Sequence, residues 1–184
     1  MKLSKSLLVR CAASAVLFFT TICAAQAADG WRETLATELP RMGHRNFIVV
    51  ADSAYPLQSA PGITTLATGA GHLEVLGAVL EAVEAAEHVQ AVIHLDKELA
   101  FVTEEAAPGI TELRDALGAA LGGASVVTLP HMDIIHKLDE SAGLFNVLIL
   151  KTDLTLPYTS VFIELDCGYW SAEKEAELRR AMGE

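Results

Sequence analysis

The chain has 184 residues, of which 24 are acidic and 13 basic, giving a formal charge of −11. That balance argues against nucleic acid or an anionic membrane as partner, because both need a basic face. Of the three cysteines, Cys11 and Cys23 fall in the first 27 residues, so residues 28–184 hold Cys167 alone and can form no internal disulfide.

The first 27 residues read as an export signal. Lys2, Lys5 and Arg10 make a positive start, CAASAVLFFTTICAA is an apolar core too short for a comfortable span, and Ala25-Gln26-Ala27 fits the small-x-small cleavage pattern. Ile22 precedes Cys23 where a lipid-attachment signal wants a small residue. The expectation is a periplasmic or secreted protein that starts near Ala28 and is free of the membrane after cleavage. The leader carries three of the 13 basic residues and none of the 24 acidic ones, so residues 28–184 carry a formal charge of −14. They are enough for a single compact domain with its own core.

In WRETLATELPRM, Trp31, Leu35 and Leu39 recur at helical spacing. FIVVAD predicts a short buried strand, and SAYPLQSAPG a turn-rich loop. HLEVLGAVLEAVEAAE, apolar round most of its circumference, predicts a buried helix; VQAVIHL is a second strand, ITELRDALGAAL a helix and SVVTLP a third strand. MDIIHKLDESAG predicts a helix ending at Gly143, and NVLILKT and SVFIELD two more strands. SAEKEAELRRAM predicts a final helix with Ser171 as N-cap, acids in its first turn and Arg179 and Arg180 near its end. Strands alternating with helices predict an α/β fold, a layered, largely parallel sheet flanked by helices. The last two strands lie too close for a helical crossover, which predicts an antiparallel strand pair near the C-terminus.

In open α/β sheets, ligands collect beyond the carboxyl ends of the strands. Asp52 closes the first strand, His131 follows the third after Leu129-Pro130, and Tyr158 sits in LTLPYTS before the last. His44 lies at the opposite, entering end of the first strand. No Gly-x-Gly-x-x-Gly, P-loop, Gly-x-Ser-x-Gly elbow or paired-cysteine pattern occurs. His131 and His136, five apart, align poorly for a shared metal, so neither metal nor cofactor is expected. Plainer roles compete for the same residues. Asp52 also suits a turn or helix cap, Tyr158 could pack a turn, and His72, His88 and His94 read as structural.

The combined pattern resembles the D-ribose pyranase and L-fucose mutarotase (RbsD/FucU) family from about Glu33 to Gly168. Leu39-x-x-Met42-Gly43-His44, then Phe47-Ile48-Val49-Val50-Ala51-Asp52, then Pro56, is similar to the family's Gly-His, apolar strand, Asp and Pro signature. ITTLATGAGHLEVLGAVL and VQAVIHLDKEL are similar to its loop, long helix and second strand, and Pro157-Tyr158-Thr159-Ser160-Val161 to its Tyr-x-Asn segment.

The resemblance implies a cofactor-free isomerase that interconverts ring forms or anomers of a free monosaccharide such as ribose or fucose. It also implies a homo-oligomer with sites between subunits. His44 would transfer protons, Asp52 would bind sugar hydroxyls, a histidine after the third strand would contact the sugar, and Tyr158 to Ser160 would close the pocket. For that histidine, His131 fits the strand end and His136 the distance to Tyr158; the strand end favours His131. The chain departs from the pattern at Asn46, where the family has an acid, at Ser160, where it has Asn, and at Leu154 beside Asp153, where it has Glu. Eight steps of extended chain separate His44 from Asp52, roughly 20 Å or more, so a shared sugar would need a sharp bend at Gly43 or a second subunit. Asn46 and Ser160 favour the alternative reading, a non-catalytic carbohydrate or small-metabolite binding protein on the same fold.

Overall fold

Phe47–Ala51 (β1) is buried along its whole length. Strand side chains alternate sides, so an unbroken apolar run demands cover on both faces. The computed structural model, which describes residues 30–184, provides it; the expected leader over residues 1–27 lies outside the described residues. A helix over residues 30–38 (α1) runs into a 3-10 turn, Leu39–Arg41, ahead of β1. There follow β2 (Ile63–Ala67), α2 (His72–Glu84), β3 (Val89–Asp96), α3 (Ile110–Ala120), β4 (Ser125–Leu129), α4 (His131–Ala142), β5 (Val147–Lys151), β6 (Val161–Cys167) and α5 (Ala172–Met182).

The six strands form one sheet in the order β2-β5-β1-β6-β3-β4. β1 pairs parallel with β5, β5 with β2, and β3 with β4, while β6 runs antiparallel to both β1 and β3. The largely parallel layered sheet expected from the sequence is thus present, with the direction of β6 reversed as its short connection requires. Its partners are β1 and β3, however; β1 lies between it and β5, because the 152–160 connection steps over one strand instead of turning back beside β5. The edge strand β2 was read as loop. It is short, half-exposed and carries two threonines, so it lacks the apolar run that marks the inner strands.

Alternation divides the core in two. Ile48, Val50, Leu148, Leu150, Val161, Ile163 and Leu165 face the helices α1, α2 and α3. Phe47, Val49, Ala51, Val147, Ile149 and Phe162 face α4 and Tyr55. Fully burying each of these side chains larger than alanine is worth about 1.5–3 kcal/mol, so the strand ends are held on a rigid base. α5 differs: it buries no side chain, and Ser171 caps it by accepting the Lys174 N–H.

Candidate functional site

Five strands run one way, so their carboxyl ends share one edge of the sheet, and β6 begins at that edge. Asp52, Asp96, Thr152 and His131 leave or follow strands there, and Ser160 enters there. Ser160 is buried and bonded to Asp52 twice: its Oγ accepts the Asp52 backbone N–H at 3.2 Å and donates to Asp52 Oδ2 at 2.9 Å. Asp52 Oδ1 accepts the Ala54 N–H at 2.8 Å. Asp52 therefore is the turn residue that composition suggested, and its carboxylate also stands at the ligand edge. Each oxygen retains capacity for a further donor.

His131 opens α4. Its Nδ1 lies 3.1 Å from Asp96 Oδ1, with the Asp96 side chain 1% exposed and that of His131 35% exposed. The His131 backbone N–H is received by both Glu98 carboxylate oxygens, at 3.1 and 3.0 Å. Glu98 thus caps a helix whose own N-cap, Pro130, has no side-chain acceptor. The Tyr158 ring stands edge-on to the imidazole, centroids 5.7 Å apart. Tyr158 holds a left-handed backbone, φ 57°, a costly conformation for a non-glycine residue that concentrates at ligand sites. His136 is exposed five residues further along the same helix, and the ring beside Tyr158 and Asp96 is that of His131.

Several groups behind this edge are under electrostatic pressure. Burial pushes the Asp96 carboxyl up from its ordinary range, against the His131 contact that lowers it, and its Oδ2 is buried without a hydrogen-bond partner among the described residues. Burial, then the charges of Asp139, Asp96 and Asp52, push the Tyr55 hydroxyl up. Burial lowers His72 to about 4, although the Thr159 backbone and Asp52 favour its charged form. Thr152 donates its hydroxyl to the Ala51 carbonyl and so must accept from His72 Nδ1, 3.0 Å away. That favours the neutral tautomer protonated on Nδ1, with Nε2 buried and without a hydrogen-bond partner among the described residues.

His44 is not at this edge. It projects from a turn at the other end of β1, beside Arg45, whose backbone is also left-handed at φ 72°. Asn46 shapes the turn: its Oδ1 accepts the Gly43 N–H at 2.7 Å and its Nδ2 donates to the Asn146 carbonyl at 3.1 Å. An acid at position 46 could make only the first of these bonds. The chain does not bend back at Gly43 to bring His44 to Asp52; His44 lines a separate pocket of about 630 Å³ with His88, Asp166 and Trp170.

Comparison with known proteins bears on this arrangement. The model of the RbsD / FucU transport protein family matches residues 32–165. The chain belongs to the RbsD/FucU family. Its fold is similar to that of Bacillus subtilis RbsD complexed with D-ribose, at 19% identity and a TM-score of 0.51, covering 72% of this chain and 91% of that one. It is also similar to the fucose mutarotase from Streptococcus pneumoniae in complex with L-fucose, at 20% identity and a TM-score of 0.47, covering 71% and 89%. No curated protein matches it in sequence.

For this RbsD/FucU member, the structure thus joins Asp52, Ser160, His131 and Tyr158 at one edge and sets His44 apart. Asp96, Glu98, Tyr55 and His72 were not singled out by sequence as site residues. The rule that found Asp52 finds Asp96 too, since both are acids closing a strand; reading VQAVIHL as ending at Leu95 concealed it. His72 was read as structural, which its burial and its bond to Thr152 bear out.

Proposed function

We propose that the protein is a monosaccharide isomerase of the mutarotase or pyranase type, exported from the cytoplasm and working without a cofactor. One observation carries the reading: a half-exposed imidazole, His131, has its inner nitrogen held by a buried carboxylate and its ring edge-on to Tyr158, at the sheet edge where Ser160 and Asp52 are bonded to each other. With Asp96 ionised, Nδ1–H is donated inward and Nε2 faces outward as a base.

Ring opening moves two protons. His131 Nε2 takes the anomeric hydroxyl proton, the C1–ring-oxygen bond breaks as the carbonyl forms, and an acid protonates the departing ring oxygen. We assign that acid to His44 of a neighbouring copy, since the two ends of β1 are too far apart to serve one sugar within a chain. Rotation about the C1–C2 bond and reclosure, with both transfers reversed, give the other anomer, or the other ring size if a different hydroxyl attacks. Asp52 takes sugar hydroxyls, and Tyr158 covers the apolar side of the ring.

Magnetisation-exchange NMR on D-ribose and L-fucose tests this. The protein should speed exchange between ring forms, and His131→Ala should abolish the effect. A second reading, capture of a sugar without catalysis, draws on one fact: His44 stands at the opposite end of β1 from His131, so a single chain brings one of the two imidazoles to a sugar. It requires sugar-induced shifts with no faster exchange.

A further inference from the structure

The segment after β6 lies outside the residues matched by the family model, 32–165, yet it walls the pocket that holds His44. It is positioned closely. A Cβ at Gly168 would stand 2.6 Å from the Glu87 carbonyl oxygen and 2.8 Å from that of Val89, so only glycine lets the chain press against the α2–β3 connection there. The next two residues are Tyr169 and Trp170, large aromatics left 69% and 43% exposed. Trp170 is nonetheless held: its indole N–H donates to Glu175 Oε2 at 2.9 Å, while Lys174 Nζ donates to the Tyr169 carbonyl at 3.1 Å.

From these features we infer that the Tyr169–Trp170 turn makes the His44 pocket a monosaccharide subsite, in which Trp170 is a specificity-determining stacking residue. The inference rests on the proposed sugar isomerase reading, and it adds a contact that the matched region does not contain. The lining selects the ligand class. Glu175 is already paired with Arg179 at 2.8 Å, and one Asp166 oxygen accepts the Cys167 N–H, so a single carboxylate is left, too few oxygens for the cage a hard metal cation takes. Asp166 and the acidic balance of the chain oppose an anion.

A neutral polyol remains. Its C–H face suits the indole ring, and its hydroxyls suit the imidazoles. His88 donates Nε2–H to the Leu39 and Met42 carbonyls, at 3.2 and 3.1 Å, which leaves its Nδ1 as an acceptor. The volume, about 630 Å³, falls within the range of small-molecule pockets.

Tryptophan fluorescence of the full chain, titrated with D-ribose and L-fucose alongside exchange NMR, tests the inference. Trp31 is buried, so Trp170→Phe provides the blank. One of the sugars should change the emission saturably in the wild type and not in Trp170→Phe. Trp170→Ala should raise KM roughly five- to tenfold with kcat nearly kept, and Trp170→Phe should recover part of that loss. Faster exchange with KM and emission indifferent to Trp170 overturns the inference and leaves the isomerase reading standing. A saturable Trp170 signal, lost in His44→Ala, without faster exchange keeps the subsite and removes the catalysis. No signal and no exchange overturns both.

Discussion

The two ends of β1 are built differently. At the carboxyl end, three pairs of polar side chains are tied together: Ser160 to Asp52, His131 to Asp96, His72 to Thr152. At the entering end, among the described residues, no hydrogen bond holds the His44 ring; the bonds there shape the turn and leave the imidazole free. A group that must sit in one place while a substrate reacts benefits from such bracing. A group that completes a site across a boundary can be set by what docks against it. The braced end is therefore the one where single substitutions should cost most.

The largest effect is expected at the braced imidazole. Asp96→Asn removes the charge that holds His131 Nδ1–H and should cut exchange by about 10²–10⁴-fold while leaving sugar binding within a few-fold, read by NMR exchange and titration. Equal activity in the variant would show that the contact only packs.

Next comes pH. His72 falls to about 4 in the folded chain from an ordinary 6.5, so between those values the unfolded chain binds more protons. Stability should then fall as pH drops through that window, by up to about 3 kcal/mol. Denaturant unfolding of His72→Gln should show a flatter acid limb. Asp96, shifted upward, acts in the opposite sense: its stabilising share is full below its unfolded value and is lost as pH rises through the folded one. Asp96→Asn should therefore steepen the acid loss. An unchanged slope in His72→Gln would place the acid sensitivity elsewhere.

Smaller effects are expected from the hydrogen bonds that distinguish the ends. Ser160→Ala strips Asp52 of two contacts and should cost about 1–3 kcal/mol, with a raised KM. Asn46→Asp should cost about 1 kcal/mol, because the bond to the Asn146 carbonyl loses its donor, with KM and kcat little changed. A large catalytic effect from Asn46→Asp would make position 46 part of the chemistry rather than of the turn.

Much of this was legible in the chain. The all-apolar run Phe47–Ala51 announces a strand covered on both faces, and Trp31, Leu35 and Leu39 announce the helix before it, because burial follows periodicity. Ser171 and the charges of α5 follow local capping rules and were read correctly for that reason. Edge strand β2 and the insertion of β1 between β5 and β6 were not legible, since pairing is decided by contacts between segments far apart in sequence. At the site, Asp52 and His131 could be placed by the strand-end rule. Their pairings could not: the Asp96 contact spans 35 residues and the Ser160 contact 108.

The central claim is that one sugar is served by His131 of one copy and His44 of another. Co-expression of His44→Ala with His131→Ala tests it most directly, by NMR exchange on the mixed assembly. Each variant alone should be inactive, and the mixture should regain about a quarter of the wild-type sites, those that draw both intact histidines from different chains. No recovery in a mixture shown to be assembled, or full activity in His44→Ala alone, would contradict the account.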